Sequence, residues 1–183
     1  MRLPFDFLDQ RPIIIAIAGS NGAGKSTFYE SFLADGGLRF VNADELSAAL
    51  GLSAYEAAEF AGAIRRELVN QQESFVFETV LSDPVGERVD QLASCAALGY
   101  TVVLIFISIG SAEESCRRVA MRVCQGGHDV PDDKLRSRFP RTQANLQRAI
   151  QRLPHVIVFN NDDLSHAYQL VSRYENGRKL EVT

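Results

Sequence analysis

The chain has 183 residues, 46% of them hydrophobic and 23% charged, a balance that excludes wholesale disorder and, at about 150 residues per domain, favours one domain over two. Lys and Arg number 19 against 23 Asp and Glu, and the net charge of −4 excludes a uniformly basic coat for nucleic acid. The charge is uneven, however: residues 117–152 sum to +6 and the remainder to −10, so an anion is expected to meet that stretch.

Ile13–Ala18 is an unbroken Ile/Ala run ending at a glycine, the pattern of a central strand covered on both faces. It is far too short to cross a membrane, and Asp6 and Asp9 argue against a signal peptide ahead of it. Lys25–Ala34 predicts a helix stopped by Asp35-Gly36-Gly37, and Arg39–Asn42 a short second strand. Asp44–Leu50 and Ser53–Gln72 read as two helices, the longer opened by a Ser53/Glu56 capping box. Phe75–Phe77 is a third strand, after which Ser82 or Asp83 is expected to cap a helix with Pro84 in its first turn and Gly99 just past its end. Thr101–Ile107 is the clearest buried strand. Ser111 opens a helix to about Cys124, Gly126-Gly127 breaks it, and Pro131 starts another reaching Arg152 that Pro140 should kink or split. Val156–Asn160 is a fifth strand, and Tyr168–Glu175, Asn176-Gly177 and Lys179–Val182 form a terminal hairpin. The order predicts an α/β fold: a doubly wound, mainly parallel sheet in a three-layer αβα arrangement, with ligands beyond the carboxyl ends of the strands.

Three cysteines, Cys95, Cys116 and Cys124, lack paired spacing and fit reduced thiols in a cytoplasmic protein. Cys116, Cys124 and His128 lack a convincing fourth ligand for a metal.

Between the first strand and the first helix, Gly19-Ser20-Asn21-Gly22-Ala23-Gly24-Lys25-Ser26 fits G-x-x-x-x-G-K-[ST], and Thr27 follows it. Such a loop curls its N–H groups inward at phosphate oxygens, and the helix N-terminus adds partial positive charge. Lys25 would serve the β and γ phosphates of ATP and Ser26 would offer its hydroxyl to Mg²⁺. The G-x-x-G-x-G spacing is not the dinucleotide fingerprint, which also has no role for Lys25-Ser26.

No guanine-reading lysine precedes Asp162-Asp163, and Thr101–Ile107 runs into Ser108-Ile109-Gly110 without the acidic residue that a motor ATPase needs there. A small-molecule kinase fits better. Asp44, just after the second strand, is the candidate base that orients an acceptor hydroxyl, although it could equally cap the next helix, and the two roles are compatible. Glu78 and Thr79, with Glu45, are candidate substrate contacts, and Glu78 could also hold a water on Mg²⁺. Arg122, Arg138 and Arg141 flank the Gly126-Gly127 and Pro131 punctuation of a hinged lid, about residues 122–141, and could bridge transferring and leaving oxygens. Nucleic-acid binding is the weaker use of this patch, because Phe139 is its only aromatic residue. Two other readings stay open: a nucleotide-gated binding module without phosphotransfer, and a polynucleotide 5′-hydroxyl kinase.

Ala18–Thr27, Asn42-Ala43-Asp44-Glu45, Phe77-Glu78-Thr79, Arg122-Val123 with Gly126-Gly127-His128, and Arg136–Arg141 together resemble the zeta toxin family, especially its short bacterial branch. The resemblance runs from about Ile13 to Asn160 and implies a P-loop kinase, which with the length gives the expectation of a single P-loop kinase domain over 1–183. It further implies ATP and Mg²⁺ as cofactors and the sugar hydroxyl of UDP-N-acetylglucosamine or a related UDP-sugar as acceptor. A protein antitoxin that blocks the nucleotide site is the implied partner. By the same resemblance Asp44 matches the acceptor-orienting aspartate, Lys25 the loop lysine, Glu78 and Thr79 the substrate-side pair, and Arg122 and Arg138 the lid arginines.

Overall fold

A computed structural model describes residues 6–127 and 129–181, so His128 of the lid motif and Val182 of the expected hairpin lie outside the described residues. Seven strands form one sheet in the order β2-β3-β1-β4-β5-β6-β7. The five strands β1 (Ile13–Ala18), β2 (Arg39–Val41), β3 (Phe75–Thr79), β4 (Thr101–Ser108) and β5 (His155–Asn160) run parallel. The hairpin β6 (Gln169–Glu175) and β7 (Arg178–Leu180) extends the sheet antiparallel from β5, turning at Asn176-Gly177, both at positive φ.

The central strands are apolar along their whole length because both faces are covered: every residue of β1 is at most 2% exposed. On one face Ile14, Phe75, Phe77, Leu104 and Phe106 pack under α3 (Ala54–Asn70), α4 (Glu87–Ala97) and the C-terminal half of α6 (Asp132–Arg152). On the other, Ile13, Ile15, Ile17, Val76 and Ile105 pack against Phe28 of α1 (Lys25–Phe32). The helices α2 (Ala43–Leu50) and α5 (Ala112–Cys124) complete the αβα arrangement, with Ser111 and the Ser53/Glu56 box capping as expected.

Three local expectations change. Helix α4 starts at Glu87, not beside Pro84. The segment before it is held from outside: Asn145 Nδ2 donates to the carbonyls of Leu81 (2.9 Å) and Asp83 (2.8 Å), and Thr142 donates to Val80 at 3.0 Å. These bonds fasten residues 80–83 to α6 ahead of the helix, and Asp83 Oδ1 accepts from the Glu87 N–H at 2.6 Å. Helix α6 runs through Pro140 as one element, because buried Leu135 before it and Thr142, Asn145, Leu146 and Ala149 after it fasten both halves to the protein. The cap of α2 is Asn42, whose Oδ1 accepts from the Asp44 N–H at 2.9 Å, which leaves the Asp44 carboxylate free of that task.

Candidate active site

The register of the sheet builds the site. Ile17 pairs with Glu78 and Ala18 with Thr79, so the glycine-rich loop leaves β1 level with the two polar residues that end β3. β2 pairs with β3 up to Val41 and Phe77, delivering Asn42 and the first turn of α2 to the same edge. This is the crevice beyond the carboxyl ends of the strands, where the chain crosses from β1 to both sides of the sheet.

The loop is shaped by two glycines that no other residue could replace. Gly19 has φ 146°, and a Cβ there would lie 2.3 Å from the Ile107 carbonyl oxygen. Gly24 has φ 93°, and its Cβ would meet Asn161 Nδ2 at 2.7 Å. Inside the loop Lys25 is buried, donates to the Ser20 carbonyl at 3.1 Å and lies 3.6 Å from Glu78 Oε1. The Ser26 hydroxyl donates to Glu78 Oε2 at 2.7 Å, and Asn42 Nδ2 approaches the same oxygen at 3.4 Å. Lysine ammonium, serine hydroxyl and glutamate carboxylate therefore form one connected group at the mouth of the loop. Glu45 extends it. Its carboxyl is raised above the ordinary range by partial desolvation, then by the neighbouring charges of Glu78 and Glu30.

Asp44 sits exposed in the first turn of α2, two residues after Asn42, whose amide approaches Glu78. Thr79 uses its hydroxyl to accept from the Leu81 N–H at 3.2 Å. The arginines expected from the sequence are spread over two helices: Arg122 in the last turn of α5, Arg138 and Arg141 on the first half of α6, where Arg141 hydrogen-bonds Ser137 of its own helix.

Several residues that sequence reasoning passed over hold the loop from outside. Asn161 Nδ2 donates to the Ala23 carbonyl and the Tyr168 hydroxyl to the Gly24 carbonyl, both at 2.8 Å. The Ser115 hydroxyl donates to the Asn21 carbonyl at 2.7 Å. Arg118, ion-paired with Glu114 and donating to the Asp162 carbonyl at 2.9 Å, packs so close that a Cβ on Gly22 would lie 2.9 Å from its own Cβ. Arg118 belongs to the basic stretch but carried no distinguishing spacing. Asn161 and Tyr168 stand some 140 residues from their partners, and nothing local marks them.

Ser26 and Glu78 present hard oxygen donors side by side, the donor chemistry that suits Mg²⁺. Among the described residues no cluster of three or more His, Cys, Asp or Glu could hold a metal ion. No described helix is long and apolar enough to cross a membrane.

The profile of the family described as Zeta toxin matches residues 39–171. The match starts after the glycine-rich loop, so it is independent of a motif that many families share. No curated protein sequence matches the chain. Among solved structures, the AvrRxo1-ORF1:ORF2 complex with ATP superposes with a TM-score of 0.62 at 16% identity, covering 94% of this chain and 61% of that one. The chain thus spans about three fifths of that protein's length. The structure of the PezAT chromosomal toxin-antitoxin system of Streptococcus pneumoniae gives 0.56 at 18% identity, covering 90% and 72%. A gluconokinase from Sinorhizobium meliloti 1021 gives 0.54 at 21% identity, covering 86% and 89%. At these identities the likeness is one of fold, and the fold is that of P-loop kinases.

Proposed function

Because the chain belongs to the zeta toxin family, we propose that it is an ATP-dependent kinase that transfers the γ-phosphoryl group to a hydroxyl of a small molecule, a UDP-sugar such as UDP-N-acetylglucosamine. The observation that carries the reading is the Lys25, Ser26 and Glu78 group at the mouth of a loop already shaped for phosphates.

In this reading the N–H groups of Gly19 to Thr27 and the start of α1 grip the triphosphate. Lys25 turns from Ser20 and Glu78 toward the β and γ oxygens, a short swing of a flexible stem. Ser26 and Glu78 would hold Mg²⁺, which would supply neutralisation of phosphate charge. Asp44 orients the acceptor hydroxyl, with Glu45, Glu78, Thr79 and Arg141 on the substrate side. The new bond forms between the acceptor oxygen and the γ phosphorus, the bond to the bridging oxygen of ADP breaks, and the hydroxyl proton passes to Asp44 late in a loose transition state. Arg122 and Arg138 close with the lid over the charge that spreads across the phosphates. A cytoplasmic toxin restrained by a protein antitoxin is the biological setting that the family supports.

The test is incubation with γ-labelled ATP, Mg²⁺ and a panel of UDP-sugars, free sugars and 5′-hydroxyl oligonucleotides. Label is expected on a UDP-sugar; its absence from all of them removes the acceptor assignment, and label on the oligonucleotides alone makes the protein a polynucleotide kinase. Asp44→Ala should abolish transfer while leaving nucleotide binding intact.

A further inference from the structure

On the sheet face opposite the phosphate loop, α3 and α4 stand apart and leave a cavity of about 1350 Å³ between them. That exceeds the roughly 300–1,000 Å³ of an ordinary small-molecule site, so the space admits a ligand with a sizeable body. Its floor is apolar, made by Ile14, Phe75, Phe77 and Leu92, and its α3 wall is low where Ala58 and Gly62 face it. Three arginines enter it: Arg65 and Arg66 from α3 and Arg88 from α4.

Their arrangement is unusual for a surface. The Arg65 guanidinium lies 5.0 Å from the centroid of the Phe77 ring, drawn inward over the floor. Among the described residues no salt bridge reaches Arg65, Arg66 or Arg88. Four carboxylates share the rim, and each has a partner of its own: Glu56 closes the capping box, Glu59 accepts from the Tyr55 hydroxyl, Glu67 accepts from Gln71 at 2.6 Å and Glu87 from Gln91 at 3.0 Å. Arg88 donates to Gln91, with Asp83 and Glu87 near enough to favour its charge. Burial first, then the like charges of Arg88 and Arg66, pushes Arg65 down to about 10. The Arg65 and Arg66 tips meet over Gly62, where a Cβ would lie 3.5 Å from Arg66 Nη1 and 3.7 Å from Arg65 Nη2, and like charges gathered over an apolar floor are relieved by an anion set among them.

We propose that this groove is a second anion-binding site, separate from the glycine-rich loop, that takes a phosphate ester whose apolar body lies on the Phe77 floor while Arg65, Arg66 and Arg88 hold its phosphate. The site stands apart from the kinase reading, since it uses none of the residues assigned to phosphotransfer and its binding is measured without turnover.

Phenyl phosphate is the probe, titrated calorimetrically into the protein with its loop already saturated by a non-hydrolysable ATP analogue and Mg²⁺, so that the loop cannot contribute. Binding is expected, weakening as salt rises, with benzyl alcohol giving none. Arg65→Gln and Arg88→Gln should each weaken it about tenfold or more, the loss of one charge-assisted phosphate contact. Arg66→Gln, at an exposed position where folding is not in question, should weaken it measurably. No heat with phenyl phosphate, equal binding of benzyl alcohol, or affinity unchanged in Arg66→Gln and Arg88→Gln would overturn the proposal. Thermal melts of the unliganded variants serve as the folding control: removing one of three repelling cations should leave the melting temperature unchanged or raise it.

Discussion

The Tyr168 hydroxyl donates to the Gly24 carbonyl at 2.8 Å, tying the antiparallel extension of the sheet to the last glycine of the phosphate loop. Tyr168 pays for this with a φ of 58°, uncommon for a bulky residue, and its ring is wedged edge-on against Phe28 and Phe32. A strained residue at such a contact marks the hairpin as a support for the loop. Tyr168→Phe keeps the ring and removes the bond, so nucleotide affinity should fall by a factor of about 5, matching roughly 1 kcal/mol, with KM for the acceptor unchanged. Equal losses toward both substrates would show a general loosening instead.

Gly19→Ala places a methyl group against the Ile107 carbonyl oxygen, and backbone cannot step aside as a side-chain tip would. Destabilisation of about 2 kcal/mol or more is expected, together with loss of nucleotide binding. Chemical denaturation and a nucleotide titration on the same sample check both.

Glu78 is shared by Lys25 and Ser26, so Glu78→Gln removes a charge from a network while keeping a hydrogen-bond acceptor. The variant should fold, bind nucleotide, and need a much higher Mg²⁺ concentration for half-maximal transfer. A Mg²⁺ dependence identical to that of the unmodified protein would remove Glu78 from the metal role.

Asn145 is buried and its amide satisfies two carbonyls of the segment after β3. Asn145→Ala strips both bonds and opens a small void, for an expected cost of about 2–4 kcal/mol, read as a lower melting temperature. Because the same bonds keep residues 80–83 out of helix, hydrogen exchange should rise there first.

Hydrogen bonds from Arg117 and Arg118 hold Glu114 at about 2, well below its ordinary 4.5. A depressed carboxyl stabilises the fold fully above its unfolded value and loses that contribution as acid protonates it. The melting-temperature advantage over Glu114→Gln should therefore be complete above pH 4.5 and fade as pH falls toward about 2. An advantage that persists unchanged to the acid end would show that the ion pair adds nothing to stability.

The strands and the loop were legible because their signals are local. A run such as Thr101–Ile107 can only be a doubly covered strand, and eight consecutive residues carry the whole phosphate motif. Helix starts were legible where one side chain does the capping, as Ser53 and Ser111 do. Boundaries set by a distant residue carry no local signal: Asn145 delays α4, and anchors on both sides of Pro140 keep α6 whole. The aspartate expected to serve as cap or base yields the first role to Asn42, whose side-chain oxygen caps the helix two residues on while its amide nitrogen turns toward Glu78.

By itself the order of residues determined that this protein is a parallel α/β fold with a phosphate loop, because backbone curvature, strand burial and helix capping are set over spans of a few side chains. Tertiary structure alone decided what surrounds that loop: Glu78 against Lys25 and Ser26, Asn161 and Tyr168 against its carbonyls, and Arg118 under Gly22. Those contacts depend on sheet register and on which strand becomes whose neighbour, and a register is chosen by the burial of the whole core, not by any stretch of sequence within it.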